Sequence, residues 1–304
     1  IMLYMGNVNR IIFWLFLPSL LISYIVFRVF EWQTYDDGTR QLIAEQHALN
    51  LSDRDDIDCL ILGGSNAVFS LSAEQISNQS SLTCYNLSLL DEGHSDGAYS
   101  DFIRTIPIDR TQIKKIFYSS VIPLNNPGFL DRLRKNKRQI GISGEIGFQI
   151  TGRSLASYLI DFLQAKRLFE TRQYPMPMRN GDFNFDDYDG CQQDKIRDDW
   201  ALATINEDFK QWLGDNLLTI RNFFPNADIS YVLPSTLRSQ VNEDEFAKFS
   251  DTLRSVVESN SVNYIAQSSF LDVNVLCDGT HHGNAVGREI RTSELLVLME
   301  RLIL

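Results

Sequence analysis

The chain has 304 residues, of which 44% are hydrophobic and 22% are charged, a composition that can bury a sizeable core. All 39 acidic residues follow Arg28, but only 26 of the 28 basic residues do, so this part carries a net charge of about −13. Such a surface repels phosphate groups and no basic stripe offsets it, which excludes nucleic acid as a partner.

The first 31 residues have the pattern of a cytoplasmic tip followed by a transmembrane anchor. Ile11–Phe27 is an uncharged run of 17 residues, and residues 11–30 approach the length of helix that crosses a bilayer. Arg10 precedes the run and acidic residues follow it, which favours a single-pass protein whose body lies on the periplasmic or extracellular side. A cleaved signal peptide is the alternative, although no small-x-small cleavage site follows the run.

The rest of the chain alternates between predicted helices and strands. Residues 32–54 are predicted to form a stalk or a first packing helix. The predicted strands are 58–64, 82–87, 115–123, 227–234 and 262–266, and the predicted helices are one that starts near Ser72 and those over 95–105, 243–259 and 284–304. This alternation predicts one α/β domain over residues 55–304, with a mostly parallel sheet covered on both faces.

The alternation stops between Asn125 and Phe224. Two predicted helices, 154–172 and 194–223, flank a loop rich in Pro, Asn, Asp and Phe. We interpret residues 125–225 as a mostly helical insertion above the sheet. The spacing of the loop aspartates does not follow the EF-hand pattern, so they indicate a solvated acidic loop: Asp182, Asp186, Asp187 and Asp189.

The four cysteines show no CxxC spacing, so neither a zinc site nor a redox site is expected. Cys59 and Cys84 start apolar strands and are predicted to be buried thiols. Cys191 and Cys277 lie in predicted loops and could pair in an exported body.

A candidate nucleophile follows the first predicted strand. Ligands of open parallel sheets bind beyond the carboxyl ends of the strands, and here Gly63 and Gly64 lead directly into Ser65. Glycines allow a sharp turn that exposes the hydroxyl and lets backbone N–H groups face an oxyanion. A serine that only caps the next helix is the alternative interpretation of this segment.

A serine nucleophile needs a base, and the histidines are the candidates. His47 lies in a helical pattern and is predicted to be at the surface, while His94 either contacts the substrate or is a solvated loop residue. His281 and His282 precede the last helix, and Asp278 can orient an imidazole and stabilise its protonated form. No further ligand cluster accompanies the adjacent histidines, so no metal is expected.

The serine and histidine segments together resemble the SGNH-hydrolase superfamily, also called GDSL-type esterases. That family places its serine just after the first strand and an Asp-x-x-His block near the carboxyl terminus. Here the blocks are Gly63-Gly64-Ser65-Asn66 and Asp278-x-x-His281. The resemblance covers residues 55–304 outside the insertion and implies a three-layer flavodoxin-like fold. It is closest to the membrane-anchored branch that O-acylates bacterial surface polysaccharides.

Several positions depart from the family pattern. Gly64 replaces the usual aspartate before the serine, and Gly93 is the best match to the glycine whose N–H binds the oxyanion. Asn125, or its neighbour Asn126, lies near the place of the family's asparagine, but the surrounding motif is absent and a turn asparagine is the alternative.

The identity of the base is also open. The Asp-x-x-His spacing favours His281, whereas the distance to the following Gly287 fits His282. We favour His281 on the sequence alone.

The resemblance implies a membrane-anchored serine esterase or O-acyltransferase that uses no cofactor. Its expected partners are an acyl donor, an envelope glycan acceptor, the bilayer through residues 11–30, and a multi-span membrane acyltransferase. One alternative is a membrane-tethered lipid or thioester esterase with an apolar pocket lined by Phe183, Phe185 and Tyr188. The other is a non-catalytic assembly factor that keeps the fold without the chemistry.

Overall fold

The computed structural model describes residues 43–44, 46–89, 102–104, 106–120, 176–185, 191, 205–240, 242–266, 270–277, 279 and 281–303. All of them belong to one compact unit, which comprises Arg40–Ile142 and Gln173–Leu304. The predicted anchor over residues 11–30 lies outside the described residues. None of the helices within the described ranges is long and apolar enough to cross a membrane.

The described residues include five β-strands in a single sheet. They are β1 (Cys59–Gly63), β2 (Cys84–Asn86), β3 (Lys115–Ser119), β4 (Asp228–Val232) and β5 (Asn263–Ile265). Every neighbouring pair is parallel, and the order β2-β1-β3-β4-β5 is that of flavodoxin-like doubly wound sheets. The apolar β1 is buried along its whole length, as expected for a strand covered on both faces. The predicted α/β class with a parallel sheet is therefore confirmed.

Five α-helices lie between described residues at both ends, and residues 43–44, 46–51 and 102–104 are also helical. The five are α1 (Ser65–Ser70), α2 (Ala73–Gln79), α3 (Glu207–Phe223), α4 (Glu243–Ser259) and α5 (Ala285–Ile303). Three of them begin with a polar side chain that accepts a backbone N–H of the first turn, as helix N-caps commonly do: Ser72 for α2, Asn206 for α3 and Asn242 for α4. Two short 3₁₀ helices, Arg238–Gln240 and Val273–Val275, follow β4 and β5.

The helices cover the two faces of the sheet and make three layers. Successive side chains of a strand point to opposite faces. Leu60 and Leu62 of β1 belong to a large core shared with α3 and α4. Cys59 and Ile61 belong to a smaller core shared with α2 and α5. Both cores are apolar, so burial on both sides holds the sheet between its helices.

Helix α3 corrects the interpretation of residues 207–223 as part of an insertion above the sheet. Its apolar stripe lies in the large core together with β3 and β4: Phe209, Leu213, Leu217 and Ile220. It is therefore a layer helix between two consecutive strands, the usual connection of a parallel sheet. Phe183 and Phe185 are also buried in this core. Apart from residues 176–185, 191 and 205–225, the predicted insertion lies outside the described residues.

Asp182 is buried and does not belong to a solvated acidic loop. Its carboxylate accepts hydrogen bonds from the first turn of α2, from the N–H groups of Ala73 at 2.9 Å and Glu74 at 3.0 Å. It also accepts from Ser72 Oγ at 2.9 Å and from Asn86 Nδ2 at 3.2 Å. The sequence does not reveal this role because the carboxylate caps a helix more than 100 residues away.

All four cysteines lie in the described ranges, and they form two disulfides, Cys59–Cys84 and Cys191–Cys277. The second pairing is one that the sequence left open. The prediction of buried thiols at Cys59 and Cys84 is wrong: both are buried, but they face each other across β1 and β2, with their Cα atoms 4.3 Å apart. A sequence does not show which strands are neighbours.

Candidate active site

The turn between β1 and α1 places Ser65 at the carboxyl edge of the sheet. Gly63 has a φ of +154°, and a Cβ at this position would lie 2.3 Å from the carbonyl oxygen of Ser119. Only glycine fits such a close approach between two strands. Gly64 then caps α1, and Ser65 is the first residue of that helix. The backbone at this edge thus fixes where the hydroxyl stands.

His282 meets this hydroxyl from the other end of the chain. Its Nε2 lies 2.9 Å from Ser65 Oγ, although 217 residues separate the two. Both residues are half-buried, so the pair is shielded by protein and still open to a substrate. A serine hydroxyl at hydrogen-bond distance from an imidazole nitrogen is the arrangement of an activated nucleophile and its base.

His281 occupies a different environment, and this reverses the preference drawn from the sequence. Its ring is buried, with Nδ1 at hydrogen-bond distance from the carbonyl oxygen of Ser235, just beyond β4. Burial lowers the pKa of His281 to about 4, with smaller effects from His282 and Arg291. The two side chains of consecutive residues point to different surroundings, and motif spacing cannot tell which of them faces the serine.

The loop that carries both histidines is closed by its own backbone. Leu276 and Gly283 form an antiparallel bridge. Within it, Cys277 N–H donates to the carbonyl oxygen of His282 at 2.7 Å, and His282 N–H donates to that of Gly279 at 3.1 Å. Ser235 Oγ also donates to the carbonyl oxygen of His281 at 2.8 Å. The backbone of His282 is thus held within the loop, and that of His281 is held by Ser235, three residues beyond β4.

Of the remaining candidate residues, one is described by the structure and four are not. Gly64 lies at the cap of α1, beside Ser65. The others lie outside the described residues: Gly93, His94, Asn125 and Asp278. Gly279, the described residue next to Asp278, lies beside the imidazole of His282: a Cβ on Gly279 would lie 3.2 Å from His282 Nδ1.

The first turn of α1 leaves backbone donors beside the hydroxyl. Its first intrahelical hydrogen bonds come from Ala67 N–H and Val68 N–H, both to the carbonyl oxygen of Gly64. The N–H groups of Ser65 and Asn66 precede these and are not used by the helix, as at every helix start. The side chain of Asn66 donates to the carbonyl oxygen of Ser120 at 3.3 Å, which ties this turn to the end of β3.

The imidazole of His282 belongs to an aromatic stack that was not predicted from the sequence. The ring of Phe69 lies on the imidazole of His282, with centroids 4.4 Å apart and planes 15° from parallel. Phe185 stacks on the other side of Phe69 at 4.5 Å. The available signal was the spacing of Ser65 and Phe69, four residues apart, which puts them on one side of a helix. The partner rings come from distant segments and have no local signal.

His47 is a core residue, and its predicted surface position is wrong. It is fully buried, its Nδ1 lies 2.9 Å from the hydroxyl oxygen of Tyr85, and its ring meets Phe102 and Phe183 edge-on. Burial lowers the pKa of His47 to about 3. The surrounding residues 43–44 and 46–51 contribute Leu51 and other buried side chains to the large core, so this part of the chain packs against the domain. His47 therefore has a structural role.

In the part of the chain that the structure describes, no group of three or more His, Cys, Asp or Glu side chains could hold a metal ion. The described residues of the site supply a hydroxyl, an imidazole and backbone N–H groups. Together these can carry acyl transfer through a serine ester.

Comparisons with known proteins do not assign a family. No protein-family pattern matches the sequence, and no curated protein sequence matches it. Among solved structures, the chain is similar to the periplasmic domain of a lipopolysaccharide acetyltransferase from Salmonella ser. Paratyphi A, with a TM-score of 0.43 and 10% sequence identity. The match covers 89% of this chain and 96% of the other. Similarity at this level does not identify an activity.

Proposed function

We propose that this chain is an SGNH-type serine esterase or O-acyltransferase in which Ser65 is the nucleophile and His282 the base. The contact of 2.9 Å between Ser65 Oγ and His282 Nε2 is the observation that carries the proposal. It joins the glycine-rich turn after β1 to a loop near the carboxyl terminus, the two places where the sequence resembles that superfamily.

The reaction begins when His282 Nε2 takes the proton of Ser65 while Oγ attacks the carbonyl carbon of an acyl ester. Nε2 must be unprotonated for this step, so Nδ1 carries the ring proton. The carbonyl oxygen becomes an oxyanion that accepts hydrogen bonds from backbone N–H groups, for which we assign Ser65 and Gly93. When the intermediate collapses, the C–O bond to the alcohol breaks and His282 returns the proton to the departing oxygen.

The resulting serine ester is then released to a second hydroxyl. His282 takes a proton from water in an esterase, or from a sugar hydroxyl in a transferase, as that oxygen attacks the ester carbon. Ser65 regains its proton when the ester breaks. We assign to Asp278 the role of holding Nδ1–H, because His282 Nδ1 faces the adjacent Gly279.

Two disulfides support an exported location for the body, since disulfides persist in oxidising compartments. With the predicted anchor over residues 11–30, this favours a single-pass protein that works on an envelope glycan. A multi-span membrane acyltransferase is the proposed supplier of the acyl group.

The alternative of a lipid esterase loses its specific support. That alternative predicts an apolar pocket lined by aromatic residues of the insertion. Phe183 is 0% exposed and Phe185 is 7% exposed, and both belong to the core. The alternative of a non-catalytic assembly factor does not require the contact between Ser65 and His282.

The test uses the full chain in detergent and a chromogenic acetyl ester. We expect wild-type hydrolysis to fall by at least about 10³-fold in Ser65→Ala, because the nucleophile is lost. Incubation with an acyl donor and envelope oligosaccharides should then add the mass of one acyl group to the sugar. Equal hydrolysis by wild type and Ser65→Ala would refute the catalytic proposal. Ester hydrolysis without modification of the glycan would exclude the transferase and support the esterase.

A further inference from the structure

The aromatic ring of Phe69 touches the proposed base directly. Phe69 lies in α1 four residues after Ser65, so the two side chains share one side of the helix. Ser65 Oγ meets the imidazole of His282 at Nε2, on the edge of the ring. Phe69 meets the same imidazole on its face, at 4.4 Å and 15°. One helical turn therefore contacts both the edge and the plane of the base.

The stack that contains Phe69 is fixed from behind. Phe69 and Phe185 are 3% and 7% exposed, and their rings lie 4.5 Å apart and 19° from parallel. The guanidinium of Arg288 lies 5.1 Å from the centre of the Phe185 ring, and its Nη1 donates to the carbonyl oxygen of Phe183 at 2.9 Å. With Phe185 and Arg288 behind it, Phe69 has little room to move away from the imidazole.

We infer that Phe69 is a positioning residue: its ring sets the plane of the His282 imidazole so that Nε2 points at Ser65 Oγ, and it stabilises the imidazolium that forms during the reaction. This inference rests on the proposed function. Face-to-face contact restricts the tilt of the imidazole. This matters because a hydrogen bond of 2.9 Å tolerates only a small change in the orientation of the ring. A cation on an aromatic face is also favoured over a cation on an aliphatic side chain.

The main experiment compares Phe69→Leu with Phe183→Leu in the full chain. Phe183 is a matched control because it is equally buried, lies in the same core and pairs with Phe185 at 6.5 Å. We expect Phe69→Leu to lower kcat of ester hydrolysis by about tenfold or more with KM nearly unchanged, because misalignment affects the transition state. Phe183→Leu should lower the melting temperature similarly and leave kcat of the folded protein within about twofold.

The pH profile separates positioning from a general loss of structure. Without the aromatic face the imidazolium is less favoured, so the acid limb of kcat/KM should move to lower pH by about 0.5 unit, a threefold change in the protonation equilibrium. The control Phe183→Leu should keep the wild-type limb. Phe69→Met, which conserves volume better, serves if the leucine variant does not fold and should move the limb in the same direction.

A second measurement does not need activity. In protein with isotope-labelled histidine, the chain gives four imidazole signals, and His282→Gln identifies that of His282. Loss of the ring current of Phe69 should shift this signal downfield in Phe69→Leu. An unchanged signal and an unchanged acid limb in folded Phe69→Leu would overturn the inference. Absence of Ser65-dependent hydrolysis in wild type, with the signal shifted as expected, would overturn the proposed function alone.

Discussion

Two segments meet at the candidate site, and different kinds of interaction hold them. The nucleophile turn, Gly63–Asn66, is positioned by its own backbone, through the positive φ of Gly63 and the first turn of α1. The base loop, Leu276–Gly283, is positioned from a distance, by the disulfide from Cys191 and by Ser235. The comparison teaches that the serine is positioned by backbone conformation and by close packing against β3, whereas the imidazole depends on side-chain contacts and a disulfide from distant segments in addition to its own loop backbone.

The two histidines of the base loop give the largest expected difference. His282→Gln should lower kcat/KM of ester hydrolysis by about 10²–10⁴-fold, the usual contribution of a general base. His281→Gln should lower it by no more than about tenfold, because the ring of His281 contacts the Ser235 carbonyl oxygen and is not the imidazole that we place at Ser65. Steady-state kinetics on both variants make the test. A larger loss in His281→Gln would show that the contact of 2.9 Å with His282 does not identify the base.

The two disulfides separate stability from activity. Removing either by Cys→Ser changes should lower the free energy of unfolding by about 2–5 kcal/mol. Loss of Cys191–Cys277 should also lower kcat/KM of the folded protein by about tenfold, because it releases the base loop. Loss of Cys59–Cys84, at the start of β1 and β2, should leave kcat/KM unchanged. Denaturant melts and kinetics on the two double variants measure this, and equal losses of activity would remove the distinction.

Two glycines test the same contrast in the backbone. Gly63→Ala should destabilise the protein by about 2 kcal/mol or more, because its Cβ would overlap the Ser119 carbonyl and its φ is strained. Gly279→Ala should change stability little and reduce activity severalfold, because its Cβ would press on His282 Nδ1 at 3.2 Å. The melting temperature and kcat/KM of both variants test this. A large loss of stability in Gly279→Ala but not in Gly63→Ala would contradict the proposed role of Gly63 in positioning the nucleophile turn.

The two buried histidines predict that the stability of the fold depends on pH. Burial lowers the pKa of His47 to about 3 and of His281 to about 4, whereas the unfolded chain takes these protons near pH 6.5. The free energy of unfolding should therefore fall as the pH drops from about 6.5 towards 4, by up to about 1.4 kcal/mol per pH unit for each histidine. Denaturant melts of wild type and His47→Gln measure it; an identical slope in both would contradict the assignment to His47.

The sequence predicted those parts of the molecule that short segments encode. The apolar run of β1, the glycines before Ser65 and the helix Glu243–Ser259 each carry a local pattern of hydrophobicity, turn residues or capping. The same holds for the histidine pair, whose place before the last helix could be read from its motif.

The rest depends on which distant segments become neighbours. The pairing of Cys59 with Cys84 follows from strand order, and the choice between His281 and His282 follows from the fold of one loop. The contact of Phe185 with Phe69 joins segments more than 100 residues apart. Local spacing contains no information about such contacts, which explains why these predictions failed or were never made.

Covalent labelling of the full chain with a fluorophosphonate is the most direct test of the central claim, because such reagents react with a serine that a neighbouring imidazole activates. Peptide mass spectrometry should find one adduct, on Ser65, in wild type and in His281→Gln, and labelling at least about 10²-fold slower in His282→Gln. An adduct on a different serine, or Ser65 labelling at the wild-type rate in His282→Gln, would contradict the pairing of Ser65 with His282.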